Sequence, residues 1–302
     1  MWFIPLCLLL SGGVLLSGCS LLGPPRSVTQ PEGVHITREI PFASVGSRKL
    51  CLDLYRSEAA SEVQPCLVWI YGGGWLRGDK DPLPIAPLAQ RGFTLASIDY
   101  RLSDEAIFPA QIHDVKAAMR WLRANAGQLG IDPQRIGVIG GSAGGHLAAL
   151  AGTAGPEVPG LEGGLGVTGV SSRPDCVVAL FPATDLARLD MAETHVDWRI
   201  RVAVRKMLGN VRTIDSAAAA AASPITWVDA QDPPLLLVHG DRDFLIDRDQ
   251  SDLMHAAVTR AGGSSRLVII PGAGHGNRML ARPDVQAAIG GFLDEQLGKP
   301  RR

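Results

Sequence analysis

The chain has no cluster of basic residues, no cysteine and histidine set at metal-ligand spacing, and no apolar run of membrane-spanning length. Its 29 Lys and Arg stand against 30 Asp and Glu, a net charge of −1, and the basic residues are scattered. The electrostatic footprint that a nucleic-acid partner needs is therefore missing. Without a Cys/His cluster there is no sequence signal for a bound metal. The apolar stretch from Met1 to Leu16 falls short of the ~20 residues that a spanning helix requires. It is also without the positive charge that usually precedes a secretory h-region, because Arg26 is the first basic residue.

That first stretch ends in Leu16-Ser17-Gly18-Cys19, which resembles a bacterial lipobox. The resemblance implies a lipoprotein signal peptide over residues 1–18 and lipid attachment at Cys19. The protein would then be anchored to a membrane face without a spanning helix. Ser20, where Asp would imply retention at the inner membrane, points to the bacterial cell envelope at the outer membrane, on its periplasmic or surface face. A plain secretory signal with an incidental cysteine is the alternative. Of five cysteines, Cys7 and Cys19 belong to this segment, leaving Cys51, Cys66 and Cys176 in apolar runs. They read as buried thiols behaving as small hydrophobes, with a Cys51–Cys66 bridge as the alternative in an oxidising compartment.

Residues 19–35 form a tether containing Pro, Gly and Ser, and one domain is expected over 36–298. Short apolar runs at 36–42, 49–55, 65–71, 93–98, 136–140, 176–181, 234–239 and 266–270 predict strands. Helical patterns occupy 83–91, 109–127, 143–153, 199–208, 215–222, 247–261 and 284–297. In the clearest helix, Ile112, Val115, Ala118, Met119 and Leu122 recur at helical spacing. The alternation predicts an α/β fold with a mostly parallel sheet covered on both faces, its first two strands pairing as an antiparallel hairpin. The region 154–222 interrupts the rhythm. Its Gly-rich start, 154–173, reads as a surface loop near the site, and 186–222 as a small lid or cap.

Ser142 lies in Gly140-Gly-Ser-Ala-Gly144, directly after the apolar run 136–139 and before an apolar helix. A G-x-S-x-G turn between strand and helix is a nucleophile elbow, which exposes one hydroxyl at a strained bend. Such a serine needs a base, an orienting acid and donors for an oxyanion. His275 lies in the glycine-rich turn 271–276 after the strand 266–270, which suits a general base. Asp243 follows the strand 234–239 and suits the orienting acid, with Asp185, Asp241, Asp247 and Asp249 as competitors. Tyr71-Gly-Gly-Gly-Trp75 offers backbone N–H groups, and Gly73, Gly74 and Ala143 are the expected oxyanion donors. His146, His239 and His255 read as packing, structural and outer-helix residues.

The blocks at 71–81, 99–126, 139–150, 222–228, 239–243 and 271–276 resemble the esterase and lipase branch of the α/β-hydrolases over about residues 38 to 297. The likeness is to bacterial carboxylesterases akin to feruloyl and acetyl-xylan esterases. It implies the α/β-hydrolase fold with Ser142, Asp243 and His275 as a triad cleaving carboxylic esters through an acyl-enzyme, with no cofactor. The family usually carries His where Tyr71 stands, which bears on how that loop is ordered. A serine peptidase or arylformamidase of the same fold, or a catalytically silent binding protein, are the rival expectations. Trp75 and the modest 186–222 segment imply a small pocket and short acyl groups, and the family resemblance adds acetyl or feruloyl esters of carbohydrate.

Overall fold

The computed structural model describes residues 32–60, 62–190, 197–211 and 216–298. The expected signal segment, Cys19 and the tether up to residue 31 lie outside the described residues. Eight strands form one sheet among the described residues: β1 (Val34–Val45), β2 (Arg48–Ser57), β3 (Gln64–Ile70), β4 (Thr94–Ile98), β5 (Ile131–Gly141), β6 (Val177–Leu180), β7 (Leu235–Gly240) and β8 (Ser265–Ile270). Their spatial order is β1-β2-β4-β3-β5-β6-β7-β8. The β1–β2 and β2–β4 pairings are antiparallel and all others are parallel. This is the α/β-hydrolase architecture that the sequence implies.

The connections carry α1 (Ala110–Ala124), α2 (Ala126–Leu129), α3 (Ala143–Thr153), α4 (Trp198–Met207), α5 (Ser216–Ala222), α6 (Asp249–Arg260) and α7 (Pro283–Leu297). Helices on both faces explain why β3, β6 and β7 read as continuous apolar runs rather than alternating ones. Alternate side chains of one strand enter different cores. Val68 and Ile70 pack with α1 and α3, whereas Leu67 and Trp69 pack with α7. Each buried aliphatic side chain contributes about 2 kcal/mol through the water it sheds.

Local departures from the expected elements have identifiable causes. The predicted helix over 83–91 is a 3₁₀ turn at Ala86–Arg91, because Pro84 and Pro87 supply no N–H. The long helix breaks at Asn125, whose side-chain amide donates to the Trp121 carbonyl oxygen at 2.8 Å and competes with helix continuation. β5 begins five residues early. Its polar start, Asp132-Pro-Gln, bulges between the pairings Gln64↔Ile131 and Cys66↔Ile136, so it has no apolar signature. Cys51, Cys66 and Cys176 are free, so the alternative Cys51–Cys66 bridge is not formed. Cys51 lies on β2 and Cys66 on β3, and β4 runs between them. Burial pushes the Cys66 thiol up to about 12, leaving it protonated.

The 154–173 loop was expected near the site, but it lies over α1 instead. The buried Lys116 ammonium donates to the Ala154 carbonyl oxygen and pairs with Glu162 at 3.1 Å. Arg120, only 1% exposed, donates to the carbonyl oxygens of Val167 and Leu165 and pairs with Glu162 at 2.6 Å. Two buried cations thus hold an aperiodic loop that its own sequence would not order.

Candidate active site

Ser142, Asp243 and His275 follow β5, β7 and β8, so all three stand at the carboxyl edge of the sheet. The elbow gathers its strain into one residue. Ser142 has φ 57° and ψ −119°, a positive φ that side-chain-bearing residues adopt rarely. Hydrogen bonds over-determine it: Ser142 N donates to the Leu180 carbonyl oxygen at 2.9 Å, and His146 N donates to the Ser142 carbonyl oxygen at 2.9 Å. Glycine is required beside it on steric grounds. A Cβ on Gly144 would collide with the carbonyl oxygens of Ile70 and Tyr71, which would push α3 off the sheet.

The three side chains form a continuous line. His275 Nε2 lies 2.9 Å from Ser142 Oγ, and His275 Nδ1 lies 2.6 Å from Asp243 Oδ2. Asp243 Oδ1 accepts from the N–H groups of Leu245 at 2.9 Å and Ile246 at 3.0 Å. Burial by itself pushes this carboxyl up. Donation from His239 and His275, the charge of His275 and the Ile246 N–H outweigh that and hold it well below the usual carboxylate range. The Phe181 ring meets the His275 ring edge-on with centroids 4.6 Å apart. The competing carboxylates are occupied elsewhere. Asp185 accepts from Arg188 N, Asp241 from Gly272 N and Asp247 from Asp249 N, while Asp249 opens α6. His255 meets Ser265 Oγ at 3.0 Å, away from the line. Among the described residues no three His, Cys, Asp or Glu converge as a metal site.

Gly73 and Gly74 line one cavity with Ser142, while Ala143 sits directly behind the serine in the first turn of α3. An N–H in that first turn has no intrahelical acceptor and is open to a ligand. Gly73 has φ 119°, and a Cβ there would overlap the Arg77 carbonyl oxygen, so only glycine lets the loop close on itself. Tyr71 orders this loop. Its ring stacks on Tyr100 at 4.4 Å; Tyr71 Oη donates to the Tyr100 carbonyl oxygen and Tyr100 Oη to that of Tyr71. Burial pushes the Tyr71 hydroxyl up, which keeps it a donor.

Trp75, expected to narrow the pocket, is instead buried behind the glycine loop. Its Nε1 donates to His146 Nδ1 at 3.2 Å. His146 Nε2 in turn donates to the Ala222 carbonyl oxygen at 2.7 Å, so the imidazole is neutral and ties loop, α3 and α5 together. The sequence placed this histidine as packing; its polar role depends on partners too distant in sequence for local patterns to reveal. Burial lowers His146 from 6.5 to about 4. Between those values the unfolded chain binds the extra proton, so this contribution is full above 6.5 and is lost as pH falls towards 4. The expected loss is about 3 kcal/mol of stability over that window. Urea unfolding near about pH 7 and about pH 4 checks it, and His146→Gln should flatten that part of the slope.

The cavity measures about 790 Å³. Of the 154–222 region, Phe181 and α4 line it among the described residues, α4 through Trp198, Arg199, Ile200, Val202 and Ala203. Trp198 is 70% exposed and Val202, one turn on, 48%. Neither residue carries a sequence signal, because an exposed apolar pair on a short helix resembles an ordinary amphipathic face.

Known proteins resemble the chain along most of its length. Esterase LipC of Mycobacterium tuberculosis is 35% identical over 259 residues, covering 81% of this chain and 62% of LipC. The chain thus spans less than two thirds of the length of that curated relative. A truncated carbohydrate esterase from gut microbiota superposes with a TM-score of 0.79 at 32% identity, covering 88% of this chain and 97% of its own. The acetyl ester-xyloside bifunctional hydrolase of Caldicellulosiruptor lactoaceticus gives a TM-score of 0.71 at 27% identity, covering 89% and 97%. The BD-FAE family model matches residues 52–258, a span that contains the glycine loop, the elbow and the acid turn, and by that match the chain belongs to the BD-FAE family.

Proposed function

We propose that the protein is a serine hydrolase of carboxylic esters that works through an acyl-enzyme. The observation that carries this is the unbroken line from Ser142 Oγ through His275 to Asp243, at 2.9 Å and 2.6 Å. In this mechanism Ser142 Oγ attacks the ester carbonyl carbon while His275 Nε2 takes its proton. Negative charge gathers on the carbonyl oxygen, where the N–H groups of Gly73, Gly74 and Ala143 receive it. Asp243 holds the His275 tautomer and offsets the imidazolium charge. His275 then protonates the departing alcohol, and water repeats the cycle on the acyl-enzyme. The esterase relatives support the reaction class.

The substrate reading is a short acyl group, acetyl above all, carried on a carbohydrate. Two solved neighbours are described as a carbohydrate esterase and an acetyl ester-xyloside hydrolase, which favours it. So does Trp198, a flat exposed ring on the wall of a cavity that Arg77, Asp79 and Asn277 also line, polar side chains suited to sugar hydroxyls. Acetylated xylo-oligosaccharides are expected to outrun long-chain esters and aminoacyl anilides; faster anilide turnover would favour a peptidase instead. Trp198→Ala should raise KM for the oligosaccharide about tenfold and that for p-nitrophenyl acetate much less. Equal changes for both substrates would remove the sugar from the reading.

Anchoring at Cys19 on the outer membrane belongs to the same proposal and is supported by the Leu16–Cys19 box. Cells making the Cys19→Ser form are expected to release the enzyme from the membrane fraction, since the acyl chains supply the affinity. Unchanged membrane partition would contradict the anchor.

A further inference from the structure

His239, on β7 and wholly buried, enters no step of the acyl transfer, yet it faces the orienting carboxylate. Its Nδ1 lies 2.8 Å from Ser251 Oγ on α6. Its Nε2 lies 3.1 Å from the Ile246 carbonyl oxygen and 3.3 Å from Asp243 Oδ2. Both of those oxygens only accept, so the proton must sit on Nε2; a lone pair there would face two oxygens in a dry interior. Nδ1 is then the acceptor, and Ser251 donates to it. Asp243 is thereby gripped at both oxygens. Oδ1 takes the Leu245 and Ile246 N–H groups, and Oδ2 lies between His275 and His239. The charged neighbours Asp241 and Asp247 are turned to Gly272 N and Asp249 N.

We propose that His239 is a positioning residue of the triad: fixed by Ser251 with its proton on Nε2, it clamps Asp243 and the 243–246 turn so that Oδ2 stays aimed at His275. Polar contact then runs from Ser251 on α6 through His239, Asp243 and His275 to Ser142, hydrogen-bonded at every link except the 3.3 Å approach of His239 Nε2 to Asp243 Oδ2. The inference rests on the ester-hydrolase reading. Removing the clamp leaves the carboxylate less well aimed and less well solvated, and therefore more basic towards His275. Turnover should fall, and the protonated imidazole should persist to higher pH.

The test compares wild type, His239→Phe, His239→Gln and Ser251→Ala on p-nitrophenyl acetate across pH, with melting temperatures. His239→Phe is expected to lose about 10- to 100-fold in kcat with KM little changed, and to move the acid limb of kcat/KM upward. His239→Gln, whose amide N–H can occupy the Nε2 position, should recover most of both. If His239→Phe does not fold, Ser251→Ala carries the test and should shift both quantities the same way by less. A folded His239→Phe with wild-type kcat and an unmoved limb overturns the proposal. So does a loss that His239→Gln fails to rescue and that tracks only the melting temperature. A wild type that neither turns over ester nor takes a phosphonate label would sink the ester-hydrolase reading instead. The clamp is then judged by the downfield proton resonance of His275 Nδ1–H, which must move in the folded variant.

Discussion

Ser142→Ala is expected to lower kcat on p-nitrophenyl acetate by about 10⁵- to 10⁶-fold, or ~7–8 kcal/mol of transition-state stabilisation. The remaining rate over water would come from the glycine loop and binding, which the substitution leaves intact. The fold should hardly notice, since Ala keeps the Cβ and the bend is fixed by hydrogen bonds from Ser142 N and His146 N. A fluorophosphonate should add one adduct to the wild type and none to the variant, read by intact mass. Ser142→Gly sharpens the test. With φ at 57°, glycine relieves strain, so the Gly form should be as inactive as the Ala form yet more stable than it by about 1 kcal/mol. A Ser142→Ala protein retaining more than about one hundredth of the activity would mean another nucleophile does the work.

Why these three residues were legible lies in how local their signals are. The elbow is announced by glycines within two residues of the serine, because the collisions they avoid are with strand and helix backbone immediately around it. Asp243 lies in the turn after the buried strand β7 and His275 in the turn after the mostly half-buried strand β8, and strand ends at one sheet edge are brought together by parallel topology. β3 and β7 were equally plain, their residues being buried on both faces. The rest depends on contacts between distant segments. Trp75 and His146 are 71 positions apart, and their bond turned an expected pocket wall into a brace. Arg120 reaches Glu162 across 42 positions and pulls the 154–173 loop away from the site. β5 hid its start because Asp132 and Pro133 interrupt the apolar pattern while the chain stays in the sheet. The α4 wall was unreadable for the converse reason: Trp198 and Val202 acquire meaning only from the cavity they face.

Asp243→Asn is expected to cost about 10⁴-fold in kcat near neutral pH, with KM changed far less. The surroundings dictate how the amide must sit. Leu245 N and Ile246 N both donate to Oδ1, so the carbonyl oxygen of Asn has to take that place and the NH₂ group must replace Oδ2. There it donates to His275 Nδ1, which moves the ring proton to Nε2 and aims it at Ser142 Oγ, 2.9 Å away. A base that already carries a proton on that nitrogen cannot accept another. The same NH₂ would also confront His239 Nε2–H, 3.3 Å from the original oxygen, and set donor against donor in a buried site. Stability should therefore fall together with activity. The wild-type carboxylate is held well below its usual range, so its stabilisation is present above about pH 4 and is lost as pH falls through that value and below. The Asn form should lack this acid-side slope in urea unfolding. A variant within about tenfold of wild-type kcat would show that Asp243 does not set the His275 tautomer.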